Sequence, residues 1–272
     1  MDQLQAVYVR ALQTIADAGG IEGDELRPIA CPFDPAVPAD RLGLAMIAAA
    51  LHERQRRGYV VEWNAPQRGA FSAIAFPEGV RTSAAIASYG DQFPLLRIER
   101  AHADRDATIT AYAERIAVHV SETARQPIAY VLTELVANIW DHAETETGIV
   151  LAGVGGGHFV LIVVDAGISI PFTYARRDIA FPDDTAAVRA ALTGRSARPQ
   201  GGRGYGIRTS AAIATRGWGG ALLLASRHAM VLQTVDGETV RDTAPLHWNG
   251  TIVVIEAPLP LRAIDLYAYV EG

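Results

Sequence analysis

Lysine is absent: all 24 basic residues of this 272-residue chain are arginine. A Walker A phosphate lysine, a pyridoxal Schiff base and the phosphate-pairing lysine of eukaryotic-type protein kinases are thereby excluded. Any nucleotide site has to be built from arginine, backbone amides and a metal. Cys31 is the single cysteine, which rules out an intramolecular disulfide and a cysteine zinc site within one chain. Long apolar runs are missing too. The best, Gly43 to Leu51, is far short of the roughly 18 residues that a membrane helix needs. The N-terminus shows no basic region followed by an apolar one, so the expectation is a soluble, cytoplasmic protein that does not enter a membrane. The formal net charge of −6 argues against nonspecific nucleic-acid binding and favours small anions held by local basic groups.

Half of the residues are hydrophobic, enough for one large domain or two small ones. Leu4, Val7, Leu12 and Ile15 fall on one side of a helix over 3–17, which Gly19, Gly20 and Gly23 end. After a proline-broken segment, Asp40 is placed to cap a second helix, Arg41 to Arg57. Gly58 stops it, and Tyr59 to Trp63 reads as a strand, giving a βαβ-like unit. From Gln92 to Leu96 a short extended segment leads into a polar stretch ending near Asp106 that reads as a linker, with a boundary near residue 98. Helices follow at Ala107 to Glu122 and Pro127 to His142. Strands are expected at Gly148 to Val154, Phe159 to Val164, Ala221 to Ala225, Met230 to Thr234 and Thr251 to Ala257. This order predicts an α/β fold with helices layered on a mixed sheet.

Three segments carry chemistry. On the helix from Pro127, Glu134, Asn138 and Asp141 lie together beside an apolar face made by Ile128, Val131, Leu132, Leu135, Val136 and Ile139. An amide and a carboxylate one turn apart suit a hard cation, the amide oxygen ligating Mg²⁺ and the carboxylate orienting a water. Taken alone, such a pair is more often a solvated helix surface. The strand ending at Val164 runs into Asp165, Gly167 and Ser169. There a buried carboxylate can accept from an adenine amino group, and Gly167 permits close approach to the base. The plain alternative is a capped strand-to-helix turn. Third, Thr193 to Ile207 reads TGRSARPQGGRGYGI. Its free amides, its arginines and a helix starting near Gly206 suit phosphate oxygens, although a flexible glycine loop has the same composition.

In this order, ELVANIWDHA (134–143), DAGISIP (165–171), GGRGYGI (201–207) and NGTIVVIEAP (249–258) resemble the N, G1, G2 and terminal GT motifs of the GHKL (Bergerat-fold) ATPase superfamily. Gyrase, sensor histidine kinases, mismatch-repair ATPases and anti-sigma-factor kinases belong to it. The resemblance implies a two-layer α/β sandwich over 99–272 that binds ATP with Mg²⁺. Asn138 would be the metal ligand and Glu134 the water-orienting or general-base residue. Asp165 and Thr251 would contact adenine, and Gly167 would shape its pocket. Asp141 and the segment holding Arg195, Ser196, Gly202, Arg203, Gly204, Tyr205 and Gly206 would contact the rest of the nucleotide. Ser169 departs from the superfamily pattern, which has a second glycine there, and altered or weakened binding is the expected consequence.

Residues 1–98 resemble, more loosely, a STAS-like regulatory or docking domain through FDPAVPADRLGLAMIAAAL (33–51). Val37, Pro38 and Ala39 stand where such domains often carry a phosphorylatable hydroxyl, so this part is not expected to be the substrate of its own ATP site. Three functions follow: a regulatory protein that hydrolyses Mg-ATP as a switch, an anti-sigma-type serine/threonine kinase acting on a protein partner, or a nucleotide-binding pseudoenzyme. The intact Glu134 argues against the third. A protein partner is expected, and a homodimer is a further option. His52-Glu53 is the one pair resembling a phosphoacceptor motif. The rest of that motif is missing, which leaves His52 as a surface histidine on an arginine-rich helix end and His142 as a helix-end or pocket-edge residue.

Overall fold

The computed structural model describes residues 2–21, 26–59, 61–65, 68–195 and 206–270. The chain begins with α1 (Asp2–Asp17), β1 (Ile29–Ala30), α2 (Arg41–Arg56) and β2 (Trp63–Asn64), β1 and β2 pairing in parallel across α2 as a minimal βαβ unit. Two short helices, α3 (Arg68–Ser72) and α4 (Ser83–Ala87), lead to β3 (Leu96–Glu99). Then come α5 (Arg105–Val120), α6 (Arg125–His142), β4 (Thr147–Gly155), β5 (His158–Asp165), α7 (Ile170–Ala175) and α8 (Asp184–Leu192). The last third holds α9 (Gly206–Ala212), continued as a π-turn over Ile213–Gly217, then β6 (Ala221–Arg227), β7 (Ala229–Thr234), β8 (Gly237–Asp242), β9 (Trp248–Pro258) and α10 (Tyr267–Val270).

Seven strands form one sheet in the order β3-β4-β5-β9-β6-β7-β8. Every ladder in it is antiparallel, so the fold is α/β as expected but the sheet is not mixed. The edge strand β3 begins where the short extended segment was expected to end and runs into the stretch read as a linker, and the boundary expected near residue 98 falls within that strand. Edge strand β8 is exposed at every residue and has no apolar alternation, which is why periodicity did not reveal it.

The sheet is covered on both faces, α5 and α6 forming one layer and α1 and α2 from the N-terminal part adding a third. Phe159, Leu161 and Val163 of β5 join α5 and α6 in one core, while Val160, Ile162 and Val164 join α1 and α2 in another. A strand buried on both sides reads as a continuous apolar run, which is the pattern of FVLIVV. Helix α2 is buried almost all round, as a helix wedged between α1 and a sheet must be. Its Arg54 is buried, and the guanidinium is satisfied by the carbonyls of Gly20, Arg27 and Ala18, at 2.8 Å for the last. Asp40 does not cap α2; its Oδ2 instead accepts from the Asp34 amide at 2.9 Å and closes the preceding turn. Among the described residues no helix is long and apolar enough to cross a membrane.

Candidate functional site

A cavity opens on the α5/α6 face of the sheet, at the ends of β5 and β9. Val163, Val253, Asp165 and Thr251 form its floor, and Leu135, Asn138, Ile139 and His142 of α6 form one wall. The opposite wall comes from Ile168, Ile170, Thr173 and Tyr174, with Arg195 and Ile207 at the ends. It encloses about 780 Å³ counting its mouth, a size and a mostly apolar lining that suit a small organic ligand.

The register of the central ladder explains the floor. Asp165 pairs with Thr251 across β5 and β9, joining residues far apart in the chain. Asp165 is only 3% exposed. Its Oδ1 accepts from the Gly167 amide at 2.9 Å, and the amide and hydroxyl of Thr251 also donate to the carboxylate. Its main-chain carbonyl accepts from Trp248 Nε1 at 2.7 Å. Burial pushes the carboxyl up to about 7, against the opposing effect of the Gly167 and Thr251 hydrogen bonds.

That shift has a signed consequence for stability. The ordinary carboxyl titrates near 4 in the unfolded chain, so between about pH 4 and pH 7 the folded chain holds one more proton. The stabilisation from Asp165 is therefore complete below about pH 4 and is lost as pH rises to 7, at up to ~1.4 kcal/mol per pH unit. Urea unfolding of the parent and of Asp165→Asn at pH 5 and at pH 7.5 measures this. The parent is expected to lose stability relative to the variant over that interval, and parallel pH profiles would show that Asp165 titrates normally.

Two glycines are required by close approach. A Cβ on Gly250 would lie 2.0 Å from the Asp165 carbonyl oxygen, and one on Gly167 would lie 1.9 Å from that of Ala143. Gly167 thus lets its loop press against the end of α6, where the Ile168 amide donates to Ala143 O at 2.7 Å. Gly167 itself is not part of the cavity lining; Ile168 is.

The polar edge of α6 meets the start of α9. A Cβ on Gly206 would lie 2.7 Å from Glu134 Oε2 and 3.3 Å from Asn138 Nδ2, so this glycine borders both side chains. The Asn138 Nδ2 is buried and has no hydrogen-bond partner among the described residues. A buried amide left unsatisfied is costly, and a ligand is one of the standard explanations for it. Asp141 is exposed beside the cavity and outside its lining. The Arg195 guanidinium sits 4.9 Å over the Phe181 ring, and its carbonyl accepts from Tyr174 Oη. Ser196, Gly202, Arg203, Gly204 and Tyr205 lie outside the described residues.

Ser169 has φ −73° and ψ 158°, a conformation open to any residue, and its hydroxyl accepts from the Phe172 amide at 3.3 Å as the N-cap of α7. It does not line the cavity. His142 does line it, at the edge, and its carbonyl accepts from Thr173 Oγ1 at 3.2 Å. His52 is on the opposite face of the sheet. It is part-buried, not a surface residue, and its Nε2 is engaged with the Pro77 carbonyl at 2.8 Å. Burial and the nearby Arg97 lower it to about 4.

No protein-family model, curated protein or solved structure matches this chain.

The wall made by α7 and α8 was not read from the sequence. Tyr174 packs edge-on against Phe181 at 4.9 Å between centroids, with Ala187 behind them. A signal for α8 was present: Asp183 precedes an Ala/Val/Leu stretch, and its side chain accepts from Ala186 N at 2.7 Å, as an N-cap should.

Proposed function

We propose that the chain binds Mg-ATP in this cavity, in the manner of the GHKL superfamily that its motifs resemble, and hydrolyses it as a regulatory switch. The observation that carries the reading is a conjunction. A buried carboxylate and a threonine lie together on the floor of an apolar slot, and an asparagine amide whose nitrogen has no hydrogen-bond partner among the described residues stands on its wall one helical turn from a glutamate. The apolar floor suits a planar base, and Asp165 supplies the acceptor that distinguishes an exocyclic amino group from a carbonyl. Asn138 would hold Mg²⁺ through its amide oxygen, the usual case being one or two protein oxygens with phosphates and water completing the shell. When bound, the ion neutralises charge on the phosphates. Glu134, one turn away and beside Gly206, is placed to accept a proton from an attacking water or to orient it.

Base selectivity tests the reading. Asp165→Asn presents an N–H donor where the acceptor is needed, so its preference for ATP over GTP is expected to fall by about 10- to 100-fold, the weight of one buried charge-assisted hydrogen bond. Competition titrations with the two nucleotides measure it. A variant as selective as the parent would leave Asp165 with a purely structural role and remove the main support for an adenine pocket.

A further inference from the structure

A second cavity, of about 880 Å³ counting its mouth, lies between the C-terminal end of α2 and the edge strand β3. It is on the α2 side of the sheet, away from the Asp165 site. Along β3, Leu96 and Ile98 point into the α5/α6 core, which leaves Arg97 and Glu99 facing α2. The apolar interface between α2 and the sheet therefore gives way to charge at this corner. Arg56, Arg81, Arg97 and Arg100 line the cavity against two carboxylates, Glu99 and Glu146.

The local ion pairs do not balance these arginines. Arg97 Nη2 and Arg81 Nη1 share one oxygen of Glu99, at 2.7 and 3.4 Å. Glu53, which takes Arg56 at 2.5 Å, also takes Arg57 at 2.8 Å. Arg97 is only 19% exposed, and its Nε is buried with no hydrogen-bond partner among the described residues. Burial and the neighbouring Arg81 lower its affinity for its proton. His52, also in the lining, is held neutral at physiological pH and adds no charge. The lining thus carries an excess of two positive charges, in a chain whose formal net charge is −6. Arg97, the most buried of the four, shares its one carboxylate with Arg81, and neighbouring guanidinium groups that outnumber their carboxylates form an anion site.

We propose that this cavity binds a phosphomonoester dianion, with Arg97 and Arg81 as its principal contacts. The charge excess matches a phosphoryl group carrying nearly two charges at neutral pH, and planar guanidinium forks suit its oxygens. The group's source is either a small phosphorylated molecule or a phosphorylated side chain of a partner.

Calorimetric titration of the full chain with inorganic phosphate, glycerol phosphate and a phosphoserine peptide tests this, with the unphosphorylated peptide as control. Saturable binding to the parent is expected, weakened about 10- to 100-fold in Arg97→Gln and in Arg81→Gln. Arg81 is half-exposed, so its variant carries the test if Arg97→Gln melts early. Equal affinity for all three phosphates supports recognition of the phosphoryl group alone, and tighter binding of the phosphopeptide supports a phosphorylated partner as the source. Absence of saturable binding by all three would overturn the proposal. So would unchanged affinity in the folded variants, which would place the anion elsewhere, the Asp165 cavity included.

Discussion

Replacing Glu134 with alanine is expected to leave Mg-ATP bound and to slow phosphate release by about 10²- to 10⁴-fold, the usual contribution of a positioned general base. The expectation rests on placement. Glu134 lies on α6 one turn before Asn138, and its Oε2 borders the Cα of Gly206. A metal ligand and a base on the same helix edge keep a fixed separation, because both ride on one rigid element. Glu134→Gln separates charge from packing, since it preserves the volume against Gly206 and removes only the proton acceptor. Both variants should bind nucleotide as the parent does while losing turnover, read as kcat falling at unchanged affinity. If Glu134→Gln releases phosphate at the parental rate, Glu134 is a helix-surface residue and the molecule is a nucleotide-binding regulator without hydrolysis.

Gly167→Ala is expected to destabilise the fold by on the order of 3 kcal/mol, the upper part of the range for forced overpacking. The added methyl would lie 1.9 Å from Ala143 O, 2.7 Å from its carbonyl carbon and 2.9 Å from its Cβ. Backbone cannot rotate away as a side-chain tip can. Relief has to come from displacing the loop, which breaks the bond from the Ile168 amide to Ala143 O and loosens the one from the Gly167 amide to Asp165. Both stability and the cavity floor should suffer together. Gly69→Ala is the control, because nothing lies within 4 Å of the added carbon there, and it should stay within about 1 kcal/mol of the parent. Urea unfolding of the three proteins decides it: similar midpoints for the two variants would mean that the loop yields freely.

The parts of the fold that were legible are those whose periodicity comes from burial on one face or from long apolar runs. Helices α1, α2, α5 and α6 and the five inner strands fall close to their expected positions. The α2 side of the sheet was harder. The unbroken apolar runs of β5 and β6 are the pattern of strands buried on both faces, but the expectation from sequence did not use it, and the structure shows α1 and α2 as the covering layer. Antiparallel pairing throughout was not readable, because strand order depends on contacts far apart in sequence. The exposed β8 lacked apolar alternation altogether, and the four residues of β3, although they alternate, are too few to set a period apart from the polar stretch that follows.

The candidate site shows the same division. Asn138 and Asp165 were singled out by residue type and spacing and Thr251 by the resemblance of 249–258 to a terminal GT motif, and the β5/β9 register and the packing of α6 bring the three to one cavity. Most of the lining is single apolar residues such as Ile168, Ile170 and Tyr174, which carry no chemical signature until their loop is placed. Ser169, expected to disturb nucleotide binding, occupies an ordinary backbone conformation and caps α7 outside the lining. The Arg81 and Arg97 cluster spans separate segments and had no linear pattern at all.

Calorimetric titration of the full chain with ATP, with and without Mg²⁺, alongside Asn138→Ala, tests the central claim most directly. The account predicts one saturable site on the parent that tightens with Mg²⁺, and a loss of at least about tenfold in affinity when the amide ligand is removed. Failure of the parent to bind ATP, or Mg²⁺-dependent binding of undiminished strength in Asn138→Ala, would contradict it.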